Sequence, residues 1–205
     1  MSFEDNVFIN CPLDLQYYAL LRPILFTTIY LGLTPKIAIG RTDSGESRLS
    51  KIIHLIGESQ FAIHDLSRIE ASHAAEVFRL NMPFELGIDF GCRQFGQGQH
   101  RTKRCLMLEA QQYRYQAALS DLAGSDISAH NNDPRLVATI VRNWLAPVCR
   151  PGAVGAAQIW QHFVSFTGEN ERRLKARGYS RKDIQELSIP DLIQCMTQRV
   201  AGQAR

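Results

Sequence analysis

Apolar residues along the first two thirds of the chain occur in short runs that alternate with segments of helical spacing. Four of these runs predict buried strands, at residues 7–12, 35–40, 61–64 and 103–108. Apolar residues spaced i, i+3, i+4 and i+7 follow the first three runs and predict helices. Strands that alternate with helices about every 30 residues are typical of βαβ units. The pattern therefore predicts an α/β domain with an open, doubly wound parallel sheet over residues 1–148.

The first two predicted helices have clear boundary signals. Asp14 is placed to cap the first helix, and Gly32 to close it. Pro23 lies inside the pattern and should either kink this helix or move its start towards residue 23. Ser47 is placed to cap the second helix. One apolar face is predicted on that helix, formed by Leu49, Ile52, Ile53 and Ile56.

A third helix is predicted from Asn81 to about Phe95. Asn81 is expected near the N-cap, and Pro83 in the first turn, where its missing N–H has no cost. Gly87 and Gly91 lie four residues apart, a spacing that lets a backbone approach a sheet closely. Each glycine costs a helix about 1 kcal/mol relative to alanine, so we expect them to serve such an approach.

The last third of the chain is predicted to be helical. Apolar residues in phase from Pro134 to Trp144 predict the last helix of the α/β domain. Residues 150–155 form a turn-rich hinge, and later apolar spacing predicts two or three further helices. We therefore expect a second domain, a C-terminal helical segment at residues 149–205.

Composition excludes several classes of protein. There is no stretch of about 18 apolar residues and no signal-peptide pattern at the start, which predicts a cytoplasmic protein without a membrane partner. Five scattered cysteines without a CxxC pair predict reduced, mostly buried thiols. The six histidines show no HxxxH or HExxH spacing, so no metal site is expected.

The net charge of +3 is distributed unevenly. Residues 1–110 hold 11 Lys and Arg against 12 Asp and Glu, whereas the remainder holds 12 against 8. The late excess comes from a basic cluster at Arg172–Arg177 together with Arg181 and Lys182. This cluster permits contact with nucleic acid or an acidic partner. A solvated helix face is the favoured interpretation, because Tyr179 is the single aromatic residue interleaved with it.

Ligands of open parallel sheets bind at the carboxyl ends of the strands. The segments after the predicted strands supply polar candidates for substrate binding, namely Asn10, Pro12, Arg41, Asp43, Ser44, Arg48, Asp65, Ser67, Arg79 and Asn81. Arg48 lies at a predicted helix start, where backbone N–H groups also favour anions, but a solvated surface arginine is the alternative.

Three of the polar or reactive positions have open alternatives. Asp65 could bind a ribose or base, or could cap the turn that follows its strand. His64 could be a general acid or base, or a histidine of the core. Cys11 could be a nucleophile, but no companion histidine is in sight, which favours a buried thiol.

Glu85 is the most informative residue of the sequence. It is a lone carboxylate near the start of a helix whose neighbours Phe84, Leu86 and Ile88 must pack. A glutamate in the first turn of a helix can simply complement the helix dipole. An ionised glutamate beside a sugar can also act as a nucleophile or stabilise an oxocarbenium-like transition state. The sequence therefore makes Glu85 the candidate catalytic residue.

Three features together carry a resemblance to a known group of proteins: the run Val7–Pro12, the strand-end Asp65, and Phe84–Gly87. The chain resembles the nucleoside 2-deoxyribosyltransferase-like and TIR-like group of flavodoxin-like domains over about its first 110 residues. In the deoxyribosyltransferases, Glu-(Ile/Leu)-Gly at a helix start carries the catalytic glutamate. The resemblance thus implies that Glu85 acts on the anomeric carbon of a ribosyl or deoxyribosyl group, without a cofactor or metal.

The sequence departs from the deoxyribosyltransferases before this glutamate. Their loop places an aspartate six residues ahead of it, where this chain has Arg79. An arginine there suggests a phosphate or diphosphate on the ligand, which favours a nucleotide such as NAD.

The resulting hypothesis is a nucleotide N-glycosidase, an NAD hydrolase or cyclase, in prokaryotic defence or signalling. The resemblance also implies a homo-oligomer or an activating protein partner. The alternatives are a nucleoside or nucleotide 2-deoxyribosyltransferase, and a non-catalytic nucleotide-binding or protein-interaction module.

Overall fold

A computed structural model describes residues 2–40, 45–68, 80–117, 119–122, 124–150 and 152–203. Five strands lie in the order β1 (Asn6–Asn10), β2 (Thr34–Lys36), β3 (Phe61–Asp65), β4 (Arg104–Glu109) and β5 (Ile127–Ala129) along the chain. The helices are α1 (Tyr18–Tyr30), α2 (Arg48–Gly57), α3 (Asn81–Phe95), α4 (Pro134–Cys149), α5 (Ala156–Ala176), α6 (Arg181–Gln185) and α7 (Ile189–Gln203). Short 3-10 turns occupy Phe3–Asp5, Ala38–Gly40, Gly98–Thr102, Arg114–Ala117 and Ser120–Leu122.

The strands form one parallel sheet in the order β2-β1-β3-β4-β5. This is the flavodoxin-like order of doubly wound proteins, so the predicted α/β fold is confirmed. Every residue of β1 and β3 is buried, as expected for central parallel strands. The fifth strand was not predicted from the sequence, because its three residues are only half-buried and lack an apolar run.

The chain divides into two compact units. The first consists of residues 1–13 and 34–133 and holds the sheet with α2 and α3. The second consists of residues 14–33 and 134–205 and holds α1 together with α4 to α7. Helices α1 and α4, which were expected in the α/β domain at residues 1–148, are thus grouped with the C-terminal helices.

Two apolar clusters form the core of the first unit. One joins α2 to the sheet and consists of Phe8, Ile52, Leu55, Ile56 and Ala62. The other joins α3 to the end of β4 and consists of Leu66, Met82, Leu86, Met107 and Tyr115. The apolar face predicted for α2 is therefore partly wrong. Leu49 and Ile53 are exposed, and Leu55 takes their place in the core.

The ends of the first two helices show how well local signals work. Ser47 caps α2 as predicted, because its side chain accepts the N–H of Ser50 at 3.1 Å. Asp14 caps a turn that precedes α1, since its Oδ1 accepts the N–H of Tyr17 at 3.0 Å. Helix α1 itself begins at Tyr18, and Pro23 lies within it. Gly32, with φ of +84°, closes it in the left-handed region that favours glycine.

Three further expectations need correction. Gly87 and Gly91 are not packed against the sheet: among the described residues, a Cβ on Gly87 would meet no atom within 4 Å, and one on Gly91 would meet the Phe95 ring at 4.0 Å. The helix predicted to end at Trp144 continues to Cys149. The five cysteines are reduced thiols, but Cys11 is buried, whereas the other four are half-buried.

The second unit has an aromatic core. The Phe26 ring lies 5.5 Å from the rings of both Phe163 and Phe166, centroid to centroid. The three helices that follow α4, from α5 to α7, agree with the two or three predicted.

Candidate active site

The strand order places the ligand crevice of this fold at the carboxyl ends of β1 and β3, where the order reverses. Asn10 is the last residue of β1, and Asp65 is the last of β3. Helices α2 and α3 follow β2 and β3 in the chain, so they begin at this same edge. The edge therefore carries Asn10, Arg48, Asp65 and Glu85, as the sequence analysis predicted from the strand ends.

Glu85 lies on α3 with its carboxylate facing Arg48. The N-cap of α3 is Leu80, so Asn81 is the first helical residue and Glu85 the fifth, just beyond the first turn rather than within it. The Glu85 side chain is only 6% exposed. Nη2 of Arg48 lies 3.9 Å from Glu85 Oε1, while the arginine side chain is 56% exposed. A buried carboxylate is thus paired with a guanidinium that is open to solvent.

The protonation of Glu85 reflects two opposing effects. Burial raises the pKa of its carboxyl, and the positive charge of Arg48 lowers it without cancelling the effect of burial. Among the described residues, burial therefore outweighs the favourable charge of Arg48. A ligand group that carries or develops positive charge next to Glu85 would favour the ionised form.

A chain of buried polar groups lies beneath Glu85. The Asn10 amide Nδ2 lies 2.9 Å from His64 Nδ1 and also donates to the Met82 carbonyl at 3.0 Å. His64 Nε2 lies 3.2 Å from Asp89 Oδ2. Because the Met82 carbonyl can only accept, the Asn10 amide is the donor to both partners. His64 then accepts at Nδ1 and donates from Nε2 to Asp89.

Lys103 completes this chain, which we call the buried relay: Asn10, His64, Asp89 and Lys103. The ammonium of Lys103 lies 3.0 Å from Asp89 Oδ1 and donates to the carbonyls of Ile56, at 2.7 Å, and Ser59. All four side chains of the relay are almost wholly buried. Asp89 lies four residues after Glu85, so the two carboxylates share one face of α3. The relay ties β1, β3, α3 and the start of β4 together beneath the candidate catalytic carboxylate.

Two of the four relay residues, Asn10 and His64, were candidates from the sequence, and the other two were not. His64 was considered as either an acid–base group or a core histidine, and the structure places it in the core with both ring nitrogens engaged. Asp89 and Lys103 were not singled out. Asp89 did carry a signal, as a second carboxylate one helical turn from Glu85 in an apolar helix.

Asp65 is fully buried, and its contacts are internal. Its Oδ1 accepts the N–H of Ser67 at 2.8 Å, and its Oδ2 lies 3.1 Å from Nε2 of His130. His130 accepts the N–H of Asn132 at Nδ1, which leaves the proton on Nε2. Nε2 faces Asp65 Oδ2 but forms no hydrogen bond within the described chain. Of the two roles left open for Asp65, these contacts favour the capping of the turn after β3.

A further ion pair lies beside Asp65. Glu109, at the end of β4, is fully buried, and its Oε1 accepts from Arg114 Nη2 at 2.6 Å and from the Ala110 N–H at 2.6 Å. Arg114 also donates to the Ser67 carbonyl. Burial raises the pKa of Glu109, and Arg114 opposes that rise. These groups hold the loops after β3 and β4 and were not found from the sequence.

The other predicted binding residues are placed as follows. Pro12 and Ser67 are buried, and Asn81 is exposed at the start of α3. Arg41, Asp43, Ser44 and Arg79 lie outside the residues that the structure describes. Cys11 is buried, in agreement with the favoured interpretation of a core thiol.

One group of side chains within the described ranges has the proximity of metal ligands. Ligand atoms of His64, Asp89 and Cys105 lie within 4.8 Å of one another. The chemistry of this group does not fit a metal site. Both nitrogens of His64 are hydrogen-bonded, Asp89 is paired with Lys103, and burial raises the pKa of the Cys105 thiol to about 12.

Within the described parts of the chain, no helix has both the length and the apolar character needed to cross a membrane. Comparison of the chain with protein-family models, with curated proteins and with solved structures finds no match.

Proposed function

We propose that the protein is a nucleotide N-glycosidase that cleaves the bond between ribose and base in NAD or a related nucleotide, with Glu85 as the catalytic residue. One observation carries this proposal. Glu85 is a buried, incompletely compensated carboxylate at the sheet edge where flavodoxin-like folds bind ligands, and a solvent-open guanidinium stands 3.9 Å away. The Glu85 carboxylate can stabilise positive charge that develops on the sugar, and the Arg48 guanidinium can bind an anionic group of the ligand.

The proposed reaction proceeds at the anomeric carbon. The bond from this carbon to the base nitrogen breaks, and its electron pair leaves with the base. Positive charge develops on the sugar, and the Glu85 carboxylate stabilises it or attacks the carbon. Water then supplies the oxygen that replaces the base, and its proton passes to solvent. The nicotinamide of NAD is itself cationic and would favour the ionised carboxylate on binding.

Two further residues have proposed binding roles. Arg48 is placed to contact the phosphates, because its guanidinium is exposed and lies at the N-terminus of α2. Asn10 has a buried Oδ1 without a partner among the described residues, and a ligand hydroxyl at this edge could donate to it. Asp65 is assigned a positioning role through Ser67 and His130.

We further propose that the enzyme acts in the cytoplasm, without a cofactor, as a homo-oligomer or with an activating protein partner. Nucleic acid is not favoured as a partner. Part of the basic cluster already has internal contacts, since Lys175 pairs with Glu171 at 2.6 Å and Arg173 donates to Asn170 at 2.9 Å.

The test is to incubate wild-type protein and Glu85→Gln with NAD, NADP and a panel of nucleosides and to separate the products chromatographically. We expect release of the base by the wild type and a loss of at least about 100-fold in Glu85→Gln. Glu58→Gln is the matched control, because Glu58 is a half-exposed glutamate that pairs with His54 on the surface.

The same experiment distinguishes the alternatives. Exchange between a nucleoside and an added free base, without net hydrolysis, would indicate a deoxyribosyltransferase. Binding of nucleotides without turnover would indicate a non-catalytic module. Turnover that persists in Glu85→Gln would contradict the mechanism proposed for this residue.

A further inference from the structure

The helical unit contains a cavity that the proposed reaction does not use. Residues of α1, α5, α6 and α7 line this cavity of about 240 Å³. Its apolar wall is formed by Phe163, Phe166, Leu192 and Met196, of which the last three are buried. Protein sites for drug-sized ligands have volumes of about 300–1,000 Å³, so this cavity suits a smaller molecule.

Two arginines give the cavity a positive lining. Arg22 and Arg181 both line it, and neither forms a salt bridge within 4.0 Å among the described residues, although the charge of Arg181 acts on the nearby Glu171. Nη2 of Arg22 donates to the Gln185 carbonyl at 2.9 Å, whereas its Nε is buried and finds no acceptor within the described chain. Burial of the Arg22 guanidinium lowers its pKa, because loss of hydration disfavours the charged form.

The third charged residue of the lining, Glu171, interacts with the charge of Arg181, but its ion pair is made with Lys175. Glu171 is held by Lys175 on its own helix, with 2.6 Å between Nζ and Oε1. The cavity thus combines an apolar wall with a guanidinium donor that is buried and unused. Buried polar groups are normally hydrogen-bonded, and a buried charge is normally paired.

We propose that this cavity is a binding site for a small organic monoanion with an apolar body, such as a carboxylate on a short hydrocarbon chain. Arg22 binds the anionic head, Arg181 adds attraction at the rim, and the aromatic and aliphatic wall contacts the hydrocarbon. This site is independent of Glu85, and its occupancy does not depend on the proposed reaction.

The test is calorimetric titration of the full-length protein with octanoate, and with octanol as a neutral molecule of the same chain length. We expect saturable binding of octanoate and binding of octanol at least about tenfold weaker, as loss of a charge-assisted hydrogen bond implies. No saturable binding of octanoate, or equal binding of octanol, would overturn the proposal.

Three variants locate the site. Arg22→Gln should weaken octanoate binding about tenfold or more. Arg181→Gln should weaken octanoate binding by a smaller factor. This variant should fold, because Arg181 is exposed and forms no hydrogen bond within the described chain. It therefore tests the proposal even if Arg22→Gln fails to fold. Arg172→Gln, on the exposed surface of α5, should bind octanoate as the wild type does. Unchanged binding in both Arg22→Gln and Arg181→Gln would place the anion elsewhere.

Discussion

His64 Nε2 lies 3.2 Å from Asp89 Oδ2, and both side chains are shut off from solvent. This contact links the sheet to α3 one helical turn from Glu85. Since Asp89 also pairs with Lys103, its carboxylate compensates the one cation of the buried relay. The relay is therefore expected to determine both the stability of the unit and the position of the candidate catalytic residue.

Asp89→Asn should destabilise the protein strongly. The substitution leaves the Lys103 ammonium buried with only carbonyl partners, and breaking a buried pair from one side costs about 3–5 kcal/mol. The free energy of unfolding is measured by urea titration at neutral pH. Asp121→Asn is the control, because Asp121 is exposed, and its effect should stay within about 0.5 kcal/mol. A comparably small effect for Asp89→Asn would mean that the ion pair contributes little.

Asp89 should also affect how the stability of the protein changes at low pH. Burial would raise the pKa of Asp89, but its hydrogen bond to His64, together with the positive charge and hydrogen bond of Lys103, outweighs burial and holds the pKa below its usual range. A lowered pKa in the folded state stabilises the protein above the unfolded pKa, which is about 3.9, and that contribution is lost as the pH falls further. Between neutral pH and pH 3, Asp89→Asn should lose less stability than the wild type. Parallel losses would contradict this linkage.

Glu85→Gln should be neutral or stabilising, which is unusual for a buried polar residue. Because burial raises the pKa of Glu85 despite Arg48, the ionised form is disfavoured in the folded protein, and this cost appears as the pH rises above the unfolded pKa of about 4.3. At pH 8 the variant should therefore match the wild type or exceed it by roughly 0.5–2 kcal/mol, the range of common stabilising substitutions.

Thermal unfolding of wild type and Glu85→Gln at pH 4 and pH 8 checks this expectation. The difference should be smallest at pH 4, where the glutamate is largely protonated in both states. A destabilised variant at pH 8 would mean that Glu85 serves the fold, and the proposed catalytic role would lose its main physical support.

The features that could be predicted from the sequence are those that depend on nearby residues, such as helix caps and the ends of helices and strands. The Ser47 cap, the strand that ends at Asp65 and the helix that begins at Asn81 all depend on neighbours a few positions away. The short strand β5 could not be predicted in this way, since three half-buried residues carry no periodicity. The start of α1 at Tyr18 was equally hidden, because Asp14 caps the turn before it instead.

The candidate site was predicted in part. Glu85 stood out as a carboxylate in an apolar helix and Arg48 as a cation at a predicted helix start, and the structure brings them to 3.9 Å. The buried relay joins residues as far apart as Asn10 and His64, and the pairing of β1 with β3 creates this contact. The role of Asp65 likewise could not be predicted from its neighbours in the sequence. Its role depends on His130, which is 65 positions away.

Asp65→Ala should lower the free energy of unfolding and not only weaken nucleotide binding. The substitution leaves the Ser67 N–H without its acceptor in a fully buried place, and an unsatisfied buried donor costs about 1–3 kcal/mol. It also removes the carboxylate that lies 3.1 Å from His130 Nε2. A double-mutant cycle with His130→Ala should show coupling of about 0.5–3 kcal/mol, as expected for residues in direct contact. If Asp65→Ala weakens nucleotide binding at unchanged stability, Asp65 is a ligand-binding carboxylate instead.

Gly87→Ala should stabilise the protein by roughly 0.5–1 kcal/mol, because alanine favours a helix interior and a Cβ here meets no atom of the described residues within 4 Å. Gly32→Ala should destabilise it, since Gly32 has φ of +84°. Both effects are measured by chemical unfolding. If Gly87→Ala is stable but loses nucleotide turnover, the open space above Gly87 is needed for substrate, which would explain the glycine two residues after Glu85.

Arg48→Gln provides the closest test of the charge pairing at the site. Arg48 lowers the pKa of Glu85, so its removal should raise that pKa further. If Glu85 must be ionised to act, the acidic limb of kcat against pH should shift to higher pH in Arg48→Gln and stay near its wild-type position in Arg48→Lys, which keeps the charge. Stability should change by less than about 0.5 kcal/mol, because the arginine is largely exposed.

The KM for NAD should rise more than the KM for a nucleoside, since only NAD carries the diphosphate that Arg48 is proposed to bind. If the acidic limb does not move in Arg48→Gln, Glu85 is not the group that titrates in that limb. If the two KM values change equally, Arg48 does not bind the diphosphate of NAD.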